Sequence, residues 1–214
     1  MFVRDRMTTN VVTTSPDTDV EKAFELMKSR NIRRLPVVDA EGTLIGIVTD
    51  RDVRGVLIPW KSSKEEREFY YFASEVRVKE IMTSDVVTVS PEADISEVAR
   101  LIHSHKIGGL PVVEDGNKVV GIITAMDILA MFIEIMGIIG ASSRIDVVLG
   151  DDPKAFEMVS TIVRDAGGEI ISVGMGSAKE GKSDKVFFFR LEPCPTQPIQ
   201  EALELAGYTV VATA

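Results

Sequence analysis

Leu35-Pro36-Val37-Val38 and Gly46-Ile47-Val48-Thr49-Asp50-Arg51-Asp52 each occur twice in this chain, returning as Leu110-Pro111-Val112-Val113 and Gly121-Ile122-Ile123-Thr124-Ala125-Met126-Asp127. A shift of 75 positions aligns Met7–Val53 with Met82–Ile128 without a gap, and 19 of the 47 pairs are identical. Average composition would give about three by chance. Self-similarity on this scale marks a duplicated structural unit and outranks any local signal in deciding the fold.

Each copy carries the same pattern around its motif. Val11-Val12-Thr13 and Val86-Val87-Thr88-Val89 are short β-branched runs closed by Ser-Pro, which predicts a strand. Val20, Ala23, Phe24 and Met27 fall at i, i+3, i+4 and i+7, as do Ile95, Val98, Ala99 and Ile102, so an amphipathic helix follows. Thr18-x-x-Glu21 and Asp94-x-x-Glu97 have the spacing of capping boxes at the starts of those helices. Leu-Pro-Val-Val is then a strand whose proline sits early enough to spare the ladder. Turns at Glu41-Gly42 and Asp115-Gly116 lead to the apolar strands Leu44–Thr49 and Val119–Thr124, and Asp52 and Asp127 open a second helix. The unit is β-α-β-β-α. A unit of about 50 residues has a marginal core, which predicts that the copies pack as a pair.

Between the copies, Lys64-Glu65-Glu66-Arg67-Glu68 followed by Phe69-Tyr70-Tyr71-Phe72 predicts a helix with a charged start. Trp60, Tyr70 and Tyr71 make an aromatic cluster there, suited to docking on its own domain or stacking on a ligand base. From Arg144 the pattern changes. Strands at Ile145–Leu149, Glu169–Met175, Lys185–Leu191 and Tyr208–Thr213 alternate with helices at 155–166 and Pro198–Ala206, with a Gly/Ser/Lys loop over 176–184. That is β-α-β-β-α-β, the split ferredoxin-like order. The predicted class is therefore α/β and α+β. Unit 1 spans 1–58, a linker 59–75, unit 2 76–140 and the tail 144–214.

Composition narrows the function. The 214 residues hold 24 Lys and Arg against 33 Asp and Glu, a formal charge of −9. That balance disfavours nucleic acid, which needs a basic face. The single cysteine, Cys194, excludes an internal disulfide framework and a multi-cysteine metal site. No apolar stretch follows Met1-Phe2-Val3-Arg4-Asp5-Arg6, and the apolar run 128–141 is too short for a bilayer and contains Glu134. A cytoplasmic location is expected. His103 and His105, at i and i+2 on a helix, point to different faces and are not expected to share a metal. With no Ser-His-Asp set, P-loop or dinucleotide fingerprint, catalysis is not expected. The helix 126–139, apolar nearly all round, is expected to be buried on several sides.

Gly-x-x-Thr-x-x-Asp ends an apolar strand in a hydroxyl and places a carboxylate at a helix start. Free N–H groups there suit a phosphate, and an ionised Asp can take both hydroxyls of a ribose. The same residues are also ordinary N-caps. Both readings stand at this point.

Paired units with Met-Thr, Leu-Pro-Val-Val and Gly-x-x-Thr-x-x-Asp resemble tandem cystathionine-β-synthase (CBS) domains, the Bateman module, over residues 1 to about 137. The tail resembles an ACT domain by its element order. Two CBS units followed by ACT is similar to the B-type acetoin-utilisation accessory proteins. The resemblance implies two clefts for adenosine-containing ligands: AMP, ADP or ATP, or S-adenosylmethionine. It implies ribose contacts from Asp52 and Asp127 and hydroxyl contacts from Thr49 and Thr124. Base contacts would come from Thr13 and Thr88 and from Ile32 and Ile107, with Pro36, Gly109 and Pro111 completing the clefts. Arg33, Arg34 and Arg51 have Gly108, Gly109 and Met126 as counterparts, so the cleft around Asp52 is expected to take the more phosphorylated ligand. ACT domains that bind amino acids carry Asp-x-Pro-Gly after the first strand. Here Gly150-Asp151-Asp152-Pro153-Lys154 puts lysine in the glycine's place, favouring a pairing role across a homodimer. The expected function is a non-catalytic, energy-sensing regulator without a cofactor, acting on an unidentified protein; the alternative is a constitutive dimeric scaffold for a partner enzyme.

Overall fold

A computed structural model describes residues 1–61, 68–72, 76–150, 152–177 and 185–213. The chain divides into two compact units, Met1–Ile128 and Leu129–Ala214.

In the first unit a 3-10 turn at Val3–Asp5 precedes α1 (Val20–Arg30), the hairpin β1 (Arg34–Val38) and β2 (Leu44–Thr49), and α2 (Asp50–Gly55). A second hairpin, β3 (Leu57–Lys61) and β4 (Glu68–Phe72), leads to α3 (Val78–Ile81). The pattern then repeats as α4 (Ile95–His105), β5 (Gly109–Glu114), β6 (Lys118–Thr124) and the start of α5 (Ala125–Ile135), whose residues from Leu129 belong to the second unit. The duplication holds to single residues. Arg34 pairs Thr49 as Gly109 pairs Thr124, and a bulge follows Val37 in one hairpin and Val112 in the other.

The copies interlock by exchanging their leading segments. Thr8 bridges Ile122 of the second copy while Thr83 bridges Ile47 of the first; Phe2 bridges Asp94 while Arg77 bridges Asp19. Thr43 and Lys118 bridge each other where the two copies meet. The side chains follow the same exchange. A Cβ added at Gly46 would stand 2.6 Å from Sδ of Met82, and one at Gly121 would overlap Sδ of Met7. Each motif glycine is thus the bed for the other copy's methionine. Val20, Ala23, Met27, Leu35, Val37, Val48 and Val53 of the first copy form one core with Val78, from the segment that leads into the second.

Four expectations are corrected here. Residues 11–13 and 86–88 form no strands; each segment makes one parallel bridge, at Thr14–Val37 and Val89–Val112. Thr14 N–H donates to the Pro36 carbonyl at 3.0 Å and Val38 N–H to the Thr14 carbonyl at 2.9 Å. The next ladder bond toward the N-terminus would need an N–H from Pro36, which proline lacks. The capping boxes also differ: α1 starts after Asp19, which pairs with Lys22 at 2.8 Å and Arg77 at 2.5 Å. Asp94 caps α4 through the Ser96 N–H at 2.8 Å instead of that of Glu97. The expected linker helix is a hairpin from Leu57–Phe72 to Lys61–Glu68, as an aromatic run favours. Lys64–Arg67 and the side chains of Trp60, Tyr70 and Tyr71 lie outside the described residues. Finally, α5 has no buried residue; Met126 is 68% exposed, with Leu129, Phe132 and Ile135 exposed beside it. Apolar periodicity reports what a face is made of, not what covers it.

The second unit runs β7 (Ser143–Val148), α6 (Ala155–Asp165), β8 (Ile170–Ser177), β9 (Lys185–Leu191), α7 (Gln197–Leu205) and β10 (Thr209–Thr213). Its strands form one antiparallel sheet in the order β10-β7-β9-β8. Ile145, Val147, Phe189 and Leu191 of the sheet close on Val159, Val163, Ile199 and Leu203 of the two helices. Cys194 is half-buried, its backbone tied to the Ser143 hydroxyl. Asp151 and the loop 178–184 lie outside the described residues.

Candidate functional site

The strand-to-helix turn at Thr49 is built identically in both copies. β2 ends at Thr49 and α2 begins at Asp50, so Asp52 occupies the third helical position. Its Oδ2 accepts from the Thr49 N–H at 2.8 Å and from the Thr49 hydroxyl at 2.7 Å. The Asp52 N–H stands 3.4 Å from Thr49 Oγ1. Asp127 repeats this with Thr124 at 2.7, 2.7 and 3.4 Å. The capping reading is therefore realised in each copy. It does not displace the binding reading, because both accepted bonds fall on Oδ2 and neither on Oδ1. A carboxylate anchored through one oxygen holds the other in place for an incoming hydroxyl.

Around Asp52 lies a cavity of about 530 Å³, within the usual range for small-molecule sites. It brings together Arg33, Arg34, Thr49, Arg51 and Asp52 of the first copy with Ile107, Gly109 and Pro111 of the second. Thr13, Ile32, Pro36 and Thr88 are not among its lining residues, and Thr124 and Asp127 form the equivalent turn elsewhere in the unit. Thr83, Val86 and Val87 line the cavity beside Asp52, because the leading segment of the second copy crosses to β2 through the Ile47–Thr83 bridge. Such an exchange leaves no local sequence pattern.

Lys106 is a further lining residue that sequence reasoning passed over. It is the C-cap of α4 at φ 54, a left-handed conformation that a non-glycine residue seldom adopts. Arg33, Arg34, Arg51 and Lys106 face the cavity against Asp50, Asp52 and Asp85, four cations to three carboxylates. A local basic bias thus stands within an acidic chain.

Arg34 is the most constrained of these cations. It is half-buried, and its Nη1 donates to the Gly108 carbonyl at 2.6 Å. Burial pushes its guanidinium below the ordinary arginine value; Asp50 and Asp127 oppose that shift and Arg33 adds to it. A Cβ at Gly108 would stand 3.3 Å from Arg34 Cζ. The glycine pair replacing Arg33 and Arg34 in the second copy is what makes room for this side chain. His103 and His105 are both exposed in the last turn of α4. No described helix is long and apolar enough to cross a membrane.

Comparison with known proteins agrees with the interlocked pair. The family model for the CBS domain matches residues 3–59 and 78–134. Inosine-5′-monophosphate dehydrogenase of Methanocaldococcus jannaschii is 37% identical over 120 residues, 56% of this chain but 21% of that enzyme. The chain thus spans about a fifth of that relative. Among solved structures, the CBS domain pair of protein MJ0100, in complex with 5′-methylthioadenosine and S-adenosyl-L-methionine, has a TM-score of 0.52 at 29% identity. That match covers 62% of this chain and 95% of MJ0100's pair. A candidate acetoin utilization protein (AcuB) from Vibrio cholerae has a TM-score of 0.52 at 34% identity, covering 64% of this chain and 94% of that one. CBSX2 in complex with AMP has a TM-score of 0.50 at 28% identity, covering 63% of this chain and 97% of that one. With a reciprocal pair of strand-to-helix turns and a family match across both copies, this chain belongs to the CBS-domain family.

Proposed function

We propose that the chain is a non-catalytic, cytoplasmic regulator that binds an adenosine nucleotide in the cavity around Asp52. The ribose hydroxyls would meet Asp52 Oδ1 and Thr49, and the phosphates Arg33, Arg34, Arg51 and Lys106. The base would lie against Val86, Val87 and Ile107. The observation that carries this reading is the convergence of the anchored Asp52 carboxylate and four cations on one cavity of about 530 Å³. The adenosine ligands of MJ0100 and CBSX2 support the ligand class. The cation set favours ADP or ATP over AMP, since each added phosphate finds a further donor. Gly108, Gly109 and Met126 in the corresponding places of the second copy leave the Asp127 cleft weaker or for a less charged ligand.

In this reading the tail is an ACT-like, ferredoxin-like domain that relays the bound state across a homodimer. Its β-α-β-β-α-β order and its four-stranded antiparallel sheet support that assignment. Likeness to the Vibrio cholerae protein supports a link to acetoin utilisation. A relay requires the ligand to bind two conformations with different affinity. The alternative, a constitutive dimeric scaffold without a small ligand, draws on the exposed apolar residues of α5.

Calorimetry with AMP, ADP, ATP and S-adenosylmethionine tests the reading. ATP is expected to bind wild type, to lose at least about tenfold in affinity in Asp52→Ala, and to lose less in Asp127→Ala. Equal losses would overturn the asymmetry. Absence of binding by every adenosine compound would leave the scaffold.

A further inference from the structure

A further cavity, of about 180 Å³, lies within the second unit. It forms on the face of the four-stranded sheet opposite α6 and α7. Residues 136–138 cross that face: the Ser172 hydroxyl donates to the Met136 carbonyl at 3.0 Å, and Met136 Cε rests on Gly174, 3.2 Å from where a Cβ would stand. Gly137, at φ +64, packs against Ile171. Met136, Ile138 and the Phe188 ring supply apolar walls, and Arg144 and Arg190 are the charged residues among its described lining.

The two arginines are direct cross-strand partners on β7 and β9. Like charges in that relation repel, and among the described residues only one of them has a carboxylate partner. Arg144 is held by Asp146 through two bonds of 2.7 Å and lies over Phe188, 5.1 Å from the ring centroid. Arg190 is half-buried and bonds the neutral hydroxyl of Ser142; among the described residues it has no carboxylate partner. An anion at this point would relieve the repulsion and engage a guanidinium whose planar fork fits a carboxylate.

We propose that this cavity binds a small aliphatic monocarboxylate, its carboxylate on Arg190 and its hydrocarbon end between Met136, Ile138 and Phe188. The volume equals about six waters at their liquid density, which at about one non-hydrogen atom per water suits an acid of about four or five carbons. An amino acid fits poorly, because its ammonium needs an acceptor. Asp146 is engaged by both Arg144 nitrogens, and the Met136 carbonyl already accepts from Ser172.

The experiment uses the full chain labelled with 13C at the methionine methyls, with Met136 assigned through Met136→Leu. Sodium isovalerate is titrated at constant ionic strength against sodium chloride, 3-methylbutan-1-ol and leucine. A saturable shift of the Met136 methyl is expected with isovalerate, with the alcohol and leucine weaker by about tenfold or more. Arg190→Gln should weaken isovalerate by a similar factor while Arg190→Lys retains part of it. The proposal is overturned if isovalerate moves Met136 no more than chloride does, if alcohol or leucine matches it, or if Arg190→Gln binds unchanged. Should Arg190→Gln not fold, the three-probe series on wild type decides. Nucleotide binding is not involved in any arm, so the two readings fail separately.

Discussion

Arg34 of the first copy donates to the Gly108 carbonyl of the second at 2.6 Å, laying a half-buried cation across the two glycines that are the repeat counterparts of Arg33 and Arg34. The duplication is thus broken at the place where the cavity needs charge. The two glycines are not equivalent toward a side chain. At Gly108 the near neighbours of an added Cβ belong to Arg34, the far end of a flexible side chain. At Gly109 they include the Ile123 carbonyl at 2.8 Å and Thr124 Cα at 3.0 Å, which are backbone. Gly108→Ala should cost under about 1 kcal/mol and Gly109→Ala about 1–3 kcal/mol. Urea unfolding of the two variants measures the difference; equal costs would contradict it.

Thr49→Val keeps the shape of the strand end but removes the hydroxyl bonded to Asp52 Oδ2. A loss of about 0.5–1.5 kcal/mol is expected. Thr124→Val should lose the same within error, because the distances repeat at 2.7 Å. Chemical denaturation gives both values.

Gly46→Ala places a Cβ 2.6 Å from Met82 Sδ and 3.1 Å from the Thr83 carbonyl. Methionine can turn aside, but the carbonyl is pinned by the Ile47 N–H at 2.9 Å. Overpacking of about 1–3 kcal/mol is expected, and Gly46→Ala with Met82→Ala should recover little of it. Thermal melts of the single and double variants check this.

Acid should loosen the contact between the copies. The Lys79 ammonium, by hydrogen bond and charge, holds Asp17 below its ordinary value of 3.8. Lys22 and then Arg77 do the same for Asp19. A carboxylate depressed on folding stabilises the fold above its unfolded pKa, and that contribution is lost as pH falls through the folded value. The melting temperature should therefore fall as pH drops below about 4, by a modest amount because Asp17 is exposed and Asp19 only half-buried. Lys79→Gln should flatten that limb; an unchanged acid profile would show that Asp17 contributes nothing.

The duplication, both amphipathic helices, the two motif hairpins and the element order of the tail were legible because periodicity and repeat are local properties of a chain. The motif carboxylates Asp52 and Asp127 and the cations Arg33, Arg34 and Arg51 were legible for the same reason. Val11–Thr13 failed as a strand because the obstacle, the missing N–H of Pro36, belongs to its neighbour. Phe69–Phe72 failed as a helix because its hairpin partner is Leu57–Lys61, and α5 failed as a buried helix because apolarity is intrinsic to a segment while burial is not.

By itself, then, the sequence determined that there are two like units, which residue types stand at each turn, and that a basic cluster interrupts an acidic chain. Tertiary structure alone decided which of those residues meet. Exchange of the leading segments puts Thr83, Val86 and Val87 beside Asp52, and the glycine step at Gly108–Gly109 lets Arg34 cross between copies. The physical reason is that a cavity belongs to the packing of segments far apart in sequence. A repeat specifies the pieces twice over, yet their reciprocal pairing is set by steric fit and backbone hydrogen bonding between them.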